Sequence, residues 1–179
     1  MHPDSEPVIV ENYNPEWPHW FEELRSFLEP KLGPIVFRIE HVGSTAIPGM
    51  IAKPIIDLNI AIQISDFEEI KSWLAKIGFE HRGDLGIVGR EAFLLTDLRL
   101  KKGLPPHHLY VCDIDNEELK RQIAFRDYLR EHKEDAAKYS EIKIHLVKKY
   151  SGNRVQYIDG KDHLVKEILE RALQWAKRY

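Results

Sequence analysis

The 179-residue sequence contains 43% hydrophobic and 31% charged residues and carries a formal net charge of -3, which is typical of a globular domain that buries a core. A charge so close to zero excludes a whole-molecule field favouring nucleic acid or an anionic membrane, so anion binding must come from a local cluster. The single cysteine, Cys112, excludes an internal disulfide. No apolar run approaches the ~20 residues that cross a bilayer, so we expect a cytoplasmic protein with neither membrane nor nucleic-acid partners.

The first predicted element is a short strand followed by a turn in VIVENYNPEW, residues 8–17. Asn14 is a suitable N-cap for a helix that accepts Pro15 in its first turn. The apolar residues of this helix recur at helical spacing: Trp17, Trp20, Phe21, Leu24, Phe27 and Leu28. The sequence Leu-Gly-Pro at 32–34 predicts the end of the helix.

Strands alternate with one further helix in the next 80 residues. Strands are predicted at 35–42 (IVFRIEHV), 54–62 (PIIDLNIAI) and 105–114 (PPHHLYVCDI), with a glycine-rich hairpin region at 79–100. A helix capped by Ser65 and ended by Gly78 is predicted between the second strand and the hairpin.

From residue 116 onward the sequence shows three helical patterns with few breakers, the first capped by Asp115 or Asn116. We therefore predict an α+β fold, with a mixed-sheet core at 1–115 and a C-terminal helical region at 116–179. Because the junction lacks the composition of a flexible linker, we expect the helices to pack on the core as one structural unit.

Two polar residues interrupt the strand predicted at 54–62. Because side chains alternate across a strand, Asp57 and Asn59 emerge on one face and their apolar neighbours on the other. A carboxylate and an amide at a sheet edge can bind magnesium, which shares its other positions with water and substrate phosphates. The alternative is a buried aspartate satisfied by backbone amides. Since burying the pair without partners or an ion would be costly, we expect both side chains to face a cleft.

A Gly-Ser turn lies just upstream of this strand, with Ser44 13 residues before Asp57. The backbone amides at Gly43 and the hydroxyls of Ser44 and Thr45 are candidates for holding phosphate oxygens. Lys53, immediately before the strand, could reach the same phosphate. The alternative for Lys53 is a solvated loop lysine.

Four basic residues of the helical region are candidates for lining the cleft: Arg126, Arg130, Lys143 and Lys161. The two arginines are one helical turn apart and share a face. The lysines follow Tyr139 and Tyr157, respectively, by four residues. If these helices close over the cleft, such residues suit a nucleotide or another phosphorylated ligand. The alternative is a set of surface ion pairs with the nearby glutamates.

The stretch RIEHVGSTAIPGMIAKPIIDLNI, residues 38–60, strongly resembles the signature of the GrpB family. Other segments resemble GrpB features in the expected order: YNPEWPHWFEEL at 13–24, HHLYV at 107–111, FRDYLR at 125–130, YSEIK at 139–143 and YIDGK at 157–161. The resemblance covers nearly the whole chain. It implies the nucleotidyltransferase superfamily, which also contains DNA polymerase beta and the aminoglycoside nucleotidyltransferases.

That superfamily combines a Gly-Ser turn with a strand carrying two alternating acids and a third acid on a later strand. By position, Gly43 and Ser44 match the turn that holds nucleotide phosphates, and Asp57 matches the first acid. The resemblance thus implies a mixed sheet of nucleotidyltransferase type with magnesium as the cofactor. Asn59 stands where the second acid is expected. Because an amide brings no charge to balance a second cation, we expect one magnesium ion, held by Asp57 and Asn59, rather than two.

The position of the third acid is open. On the strand predicted at 105–114, His108 shares a face with Tyr110 and Cys112, none of which is an acid, while Asp113 lies on the other face. Asp97 is a second alternative. His108 could occupy the corresponding position as a ligand or general base, or it could simply border the start of the strand.

The activity implied by the resemblance is transfer of a nucleotidyl group from a nucleoside triphosphate to an unknown acceptor, with Asp57, Asn59 and His108 as the catalytic residues. The alternative is an inactive module that binds a nucleotide or a phosphorylated metabolite. Asn59 in place of an acid favours this second hypothesis. GrpB-like domains also occur fused to dephospho-coenzyme A kinases, which implies a link to coenzyme A metabolism.

Overall fold

The computed structural model describes residues 7–35, 37–151 and 153–178. Within these ranges the chain forms six α-helices and one five-stranded mixed sheet. In chain order the elements are α1 (Trp17–Leu28), β1 (Phe37–Val42), β2 (Ile56–Ile62), α2 (Phe67–Lys76), β3 (Phe79–His81), β4 (Arg90–Leu95), α3 (Leu98–Gly103), β5 (His107–Asp113), α4 (Glu117–Glu131), α5 (Lys133–Lys149) and α6 (Arg154–Ala176).

The strands lie in the order β1-β2-β5-β4-β3. Strand β2 runs parallel to β5, and the other three pairs are antiparallel. The antiparallel pair places Val42, at the end of β1, opposite Asp57 near the start of β2. The parallel pair places His108 of β5 on the other side of Asp57. The end of β1 and the starts of β2 and β5 therefore meet at one end of the sheet, where Asp57 and His108 are neighbours.

Helices α1 and α2 cover one face of the sheet. Their buried residues and the alternate residues of β2 form the main hydrophobic core, which includes Trp17, Leu24, Leu28, Ile56, Leu58, Ile60, Ile70 and Leu74. Burial of each such side chain contributes about 1.5–3 kcal/mol, so this face fixes the register of β2. The register in turn directs Asp57 and Asn59 to the opposite face, in agreement with the predicted alternation.

The three C-terminal helices lie on that opposite face. Leu119 of α4 packs against Ala61 and Cys112 of the sheet, and a second apolar cluster joins all three helices to the loop at Ile47 and Met50. The predicted α+β fold, with a mixed sheet, flanking helices and a C-terminal helical bundle, is confirmed. In the described ranges no helix combines the length and the apolar composition needed to cross a membrane.

The hairpin prediction for 79–100 is correct only in part. Strands β3 and β4 pair as predicted, but the segment after β4 forms helix α3 instead of continuing the strand. The carboxylate of Asp97 caps this helix by accepting the amide hydrogens of Arg99 and Leu100 at 2.9 and 3.1 Å. Asp97 thus has a structural role as the cap of α3.

Three predictions about where elements form or begin are wrong. Helix α1 begins at Trp17 after Glu16, so Asn14 does not cap it and Pro15 lies outside its first turn. Among the described residues near the N-terminus no strand forms, and only an isolated bridge pairs Glu11 with Ala52. Ser65 does not cap α2, because it lies within a 3₁₀ turn and Asp66 directly precedes the helix. By contrast, Asn116 caps α4 as one of the two predicted alternatives, accepting the amide hydrogen of Leu119 at 3.0 Å.

Candidate functional site

The Gly-Ser turn and the first acid are in direct contact. Gly43 follows β1 with φ 75° and ψ -175°, a conformation that is nearly restricted to glycine. The carboxylate of Asp57 packs so closely against Gly43 that a Cβ at this position would overlap its Oδ2 atom. The turn at 43–44 and the start of β2 therefore form one polar corner of the sheet.

Asp57 also contacts the residue beside it on β5. The Nδ1 atom of His108 lies 2.9 Å from Oδ1 of Asp57, and their side chains are 50% and 33% exposed, respectively. Both groups are thus accessible to a ligand while they contact each other. Two cavities meet at Asp57, which lines both of them.

The first cavity, which we call the lysine cavity, has a volume of about 170 Å³. The side chains that face it include those of Ser44, Lys53, Asp57, His108, Lys143 and Lys161. Three lysines and one carboxylate therefore surround the same space, and the Gly-Ser turn forms part of its wall. Besides Asp57, six of the residues that the sequence predicted for phosphate binding or chemistry line this cavity: Ser44, Thr45, Lys53, His108, Lys143 and Lys161.

Lys143 is the most deeply buried of the three lysines, with 2% of its surface exposed. Its Nζ donates to Oγ of Ser44 at 3.0 Å and to the backbone carbonyl of Ile51. It also lies 4.3 Å from the centre of the Tyr139 ring. Burial and the nearby positive charge of Lys161 lower the pKa of Lys143 to about 7, because neither contact supplies a negative charge.

The other two lysines share this electrostatic situation. Burial, followed by the neighbouring charges of Lys53 and Arg154, lowers the pKa of Lys161. Burial and Arg154 likewise lower the pKa of Lys53, although Asp57 partly opposes this effect. Among the ion pairs of the described residues, none joins a carboxylate to Lys53, Lys143 or Lys161. The lysine cavity consequently has an excess of positive charge.

Thr45 lines the same cavity, but its hydroxyl already has protein partners. It donates to the carbonyl of Ile55 at 3.3 Å and lies 3.0 Å from Nε2 of His41. Only 2% of the Thr45 surface is exposed. These contacts tie the turn after β1 to the start of β2, so Thr45 holds the corner in shape.

Asn59 does not line either of the two cavities. The residue is 1% exposed, and its Nδ2 donates to Oε1 of Gln122 at 2.8 Å. Gln122 in turn donates from Nε2 to Oε1 of Glu118 at 3.1 Å. The Oδ1 atom of Asn59 is buried without a hydrogen-bond partner. The expectation that both polar residues of β2 face an open cleft therefore holds for Asp57 and is wrong for Asn59.

Arg126 and Arg130 lie outside the lysine cavity and line a different depression. Arg126 forms ion pairs of 2.7 Å with both Glu40 and Asp127. Arg130 donates from Nε to the carbonyl of Ala46 at 3.0 Å. The alternative of surface ion pairs with nearby glutamates holds only in part, because Arg126 is mostly buried and the glutamate that it pairs with, Glu40, lies on β1.

Neither candidate for a third acid lies beside Asp57. Asp97 caps α3, and Asp113 accepts the amide hydrogens of Asp115 and Ile64 at 2.8 and 3.0 Å. Among the described residues there is also no group of three or more histidine, cysteine, aspartate or glutamate side chains placed to hold a metal ion. Asp57 and His108 are thus the titratable pair at this corner.

The second cavity, which we call the arginine cavity, has a volume of about 280 Å³ and adjoins the lysine cavity at Asp57. It is lined in part by Arg90, Tyr110, Glu118, Arg121, Gln122 and Phe125. The sequence-based interpretation missed these residues as site candidates. Four of them share one face of α4, at positions 118, 121, 122 and 125, and this helical spacing could have identified them as a group. Nothing in the sequence around Arg90 distinguishes it from a surface arginine.

Comparison with known proteins gives consistent matches. The family model described as GrpB protein matches residues 7–171. The chain is 36% identical to the UPF0157 protein YqkA of Bacillus subtilis, covering 92% of this chain and 47% of YqkA, so it spans about half the length of that relative. It is 34% identical to the glutamate-rich protein GrpB of Alkalihalophilus pseudofirmus, covering 90% and 94% of the two chains. The crystal structure of GrpB from Enterococcus faecalis superposes with a TM-score of 0.81 at 32% identity, covering 94% of this chain and 99% of that one.

Two more remote similarities concern proteins with named activities. The dephospho-CoA kinase of Mycobacterium tuberculosis is 23% identical over 91% of this chain and 45% of its own length. The Cid1 poly(U) polymerase, solved with MgGTP bound, gives a TM-score of 0.47 at 18% identity, over 73% of this chain and 42% of that chain. Neither similarity is strong enough to assign a function to this chain.

Proposed function

We propose that this chain, which belongs to the GrpB family, binds the phosphate groups of a nucleotide in the lysine cavity. The observation that carries the proposal is the convergence of Lys53, Lys143 and Lys161 on a space lined by one carboxylate. Burial lowers the pKa of all three lysines. A bound polyanion would supply the missing negative charge and form charge-assisted hydrogen bonds with them.

We also propose that the corner holds one divalent cation. Asp57 offers a carboxylate at the boundary of the lysine cavity, and magnesium commonly takes one or two carboxylates while water and substrate phosphates fill its other positions. The side chain of Asn59 is buried and donates its amide hydrogen to Gln122, so it adds neither charge nor an accessible ligand. We therefore propose a single magnesium ion, which Asp57 would hold and which would neutralise charge on the bound phosphates.

The corner also has the groups needed for nucleotidyl transfer. In that reaction an acceptor hydroxyl oxygen forms a bond to the α-phosphorus, the bond from this phosphorus to the bridging oxygen breaks, and pyrophosphate leaves. The hydroxyl proton requires an acceptor within hydrogen-bonding reach. Nδ1 of His108 lies 2.9 Å from Oδ1 of Asp57. One of these two side chains would accept the proton, and the other would orient it.

A binding module without chemistry is the second candidate function. The observation favouring it is that Asn59 is neutral and buried, so that among the described residues Asp57 is the one acid that lines the lysine cavity. The remote similarity to the dephospho-CoA kinase of Mycobacterium tuberculosis supports a link of such a module to coenzyme A metabolism. In either role the single buried Cys112 agrees with the reducing cytoplasm that we propose as its location.

Replacing Lys143 by methionine is expected to weaken the binding of ATP with magnesium by about tenfold or more, because hydrogen bonds to charged groups contribute about 1.5–3 kcal/mol. Isothermal titration calorimetry measures the affinity. Lys148→Met is the matched control, since Lys148 is an exposed lysine of the same helix and its loss should leave the affinity unchanged. Equal affinities of the two variants would contradict the proposed role of the lysine cavity.

The same lysine predicts a pH dependence of binding. The pKa of Lys143 is lowered to about 7 in the free protein, so its charged fraction decreases as the pH rises through 7. Because phosphate binds the protonated amine, the affinity for ATP should fall above this pKa by up to about tenfold per pH unit. The pH dependence of ATP affinity that is due to Lys143 is the difference between the wild type and Lys143→Met. Titration of ATP itself affects both proteins equally and cancels in this difference.

Asp57→Ala separates the two candidate functions. If the chain transfers nucleotidyl groups, pyrophosphate release from the four nucleoside triphosphates should fall by about 100-fold or more in this variant, and the magnesium dependence of nucleotide binding should disappear. Asp159→Ala, at an exposed position of α6, is the control. Slow turnover that is equal in the wild type and Asp57→Ala would support the binding module. A wild type that binds none of the four nucleotides would end both proposals.

A further inference from the structure

The arginine cavity contains a cation without an ion pair. The guanidinium of Arg90 lies over the Tyr110 ring, 4.1 Å from its centre, and its Nε is buried without a hydrogen-bond partner. Arg121, at the same cavity, differs because it pairs with Glu118 at 3.5 Å. Among the described residues no carboxylate forms an ion pair with Arg90. An arginine that is fixed by stacking and still has free donors is suited to bind an anionic group.

The remainder of the cavity limits what such a ligand can be. Phe125, Val165 and Leu169 provide an apolar wall, which suits the carbon framework of a small molecule. The volume of about 280 Å³ is slightly below the roughly 300 Å³ at which typical small-molecule sites begin, so the ligand must be small. Asp57, shared with the lysine cavity, forms the boundary where the two ligands would meet.

We propose that the arginine cavity is the acceptor site, and that it takes a small molecule carrying a hydroxyl group and an anionic group. Arg90 binds the carboxylate or phosphate of the acceptor, Phe125 contacts its carbon framework, and the hydroxyl lies at Asp57. The placement of the acceptor hydroxyl at Asp57 rests on the proposed function. The anion-binding role of Arg90 depends only on the geometry of its own cavity.

Glycerol 3-phosphate is a suitable probe. Glycerate tests a carboxylate in place of the phosphate, and glycerol is the uncharged control. The nuclear magnetic resonance signal of the buried Arg90 Nε–H, assigned by its loss in Arg90→Lys, reports on this cavity alone. We expect a saturable shift of this signal with glycerol 3-phosphate or glycerate and none with glycerol. Arg90→Gln should weaken binding of the probe by about tenfold, the loss of one charged hydrogen bond. Arg82→Gln, which removes an exposed arginine paired with Glu80, should leave binding unchanged.

The lysine cavity can also attract the probe, so the titration is repeated in Lys143→Met. Persistence of the Arg90 shift in that variant supports a separate site. The proposal is overturned if the signal does not move, if glycerol moves it equally, if the shift disappears in Lys143→Met, or if ATP alone moves it because the nucleoside occupies this cavity. Failure of ATP to bind the wild type would instead remove the proposed function and leave the anion site at Arg90 in place.

Discussion

Asn59→Asp is expected to lower the free energy of unfolding by about 3 kcal/mol or more at neutral pH, the effect of a buried charge without a partner. The reason is the direction of the hydrogen bonds that connect Asn59, Gln122 and Glu118. The Glu118 carboxylate only accepts, so Gln122 directs its amide hydrogens there and turns its carbonyl oxygen to Asn59. A carboxylate at position 59 would face that carbonyl oxygen. Urea denaturation followed by circular dichroism measures the difference.

Two further variants test this explanation of the amide. Asn12→Asp, at an exposed position, makes the same chemical change and should cost little. Adding Glu118→Gln to Asn59→Asp frees the Gln122 side chain to turn and donate to the new carboxylate, so the double variant should recover about 1 kcal/mol or more. An Asn59→Asp protein that is as stable as the wild type would show that the hydrogen bonds to Gln122 and Glu118 do not require an amide at position 59. A double variant without recovered stability would show the same.

The stability loss should also depend on pH in a defined direction. Burial is expected to raise the pKa of the introduced carboxyl above its unfolded value of about 3.9. The folded state then holds the proton more tightly than the unfolded state, so the deficit relative to the wild type grows as the pH rises from about 4. Denaturation curves at acidic and neutral pH distinguish this behaviour from a pH-independent packing defect.

The sequence predicted the elements whose patterns are dominated by burial. Ile56, Leu58 and Ile60 alternate with polar residues, and the hydrophobic core selects that face of β2 whatever the other elements do. Helix α3 was missed because its few residues follow a strand directly and have no helical period of their own. Its start depends on a cap, Asp97, and an aspartate two residues after a strand is equally compatible with a third acid of the site.

The proximity of the predicted site residues could be inferred where it follows from chain order, but not where it depends on pairing across the fold. The contact of Gly43 with Asp57 follows from two successive strands, whereas the contact of Asp57 with His108 requires the parallel pairing of β2 with β5. Helical periodicity places Arg126 on a face with Arg130 but does not reveal that Glu40, on β1, binds it. The orientation of Asn59 depends in the same way on a hydrogen bond to α4.

Gly43→Ala is expected to abolish magnesium-dependent nucleotide binding and to lower the free energy of unfolding by about 1–3 kcal/mol, the effect of strained backbone at a non-glycine residue. Gly43 has φ 75° and ψ -175°, so alanine would be strained there even in open space. The added Cβ would also overlap Oδ2 of Asp57 and displace the carboxylate from the boundary between the two cavities. Calorimetric titration with ATP and magnesium measures the loss of binding, and urea denaturation measures the loss of stability.

Gly49→Ala separates strain from collision. Gly49 also has a positive φ, 78°, but no atom lies within 4 Å of an added Cβ, so this variant should lose stability and keep nucleotide binding. Combining Gly43→Ala with Asp57→Ala removes the colliding carboxylate, and the double variant should be more stable than the sum of the two single effects predicts. If Gly43→Ala binds ATP as well as Gly49→Ala does, the close contact between the turn and Asp57 is not what positions the carboxylate.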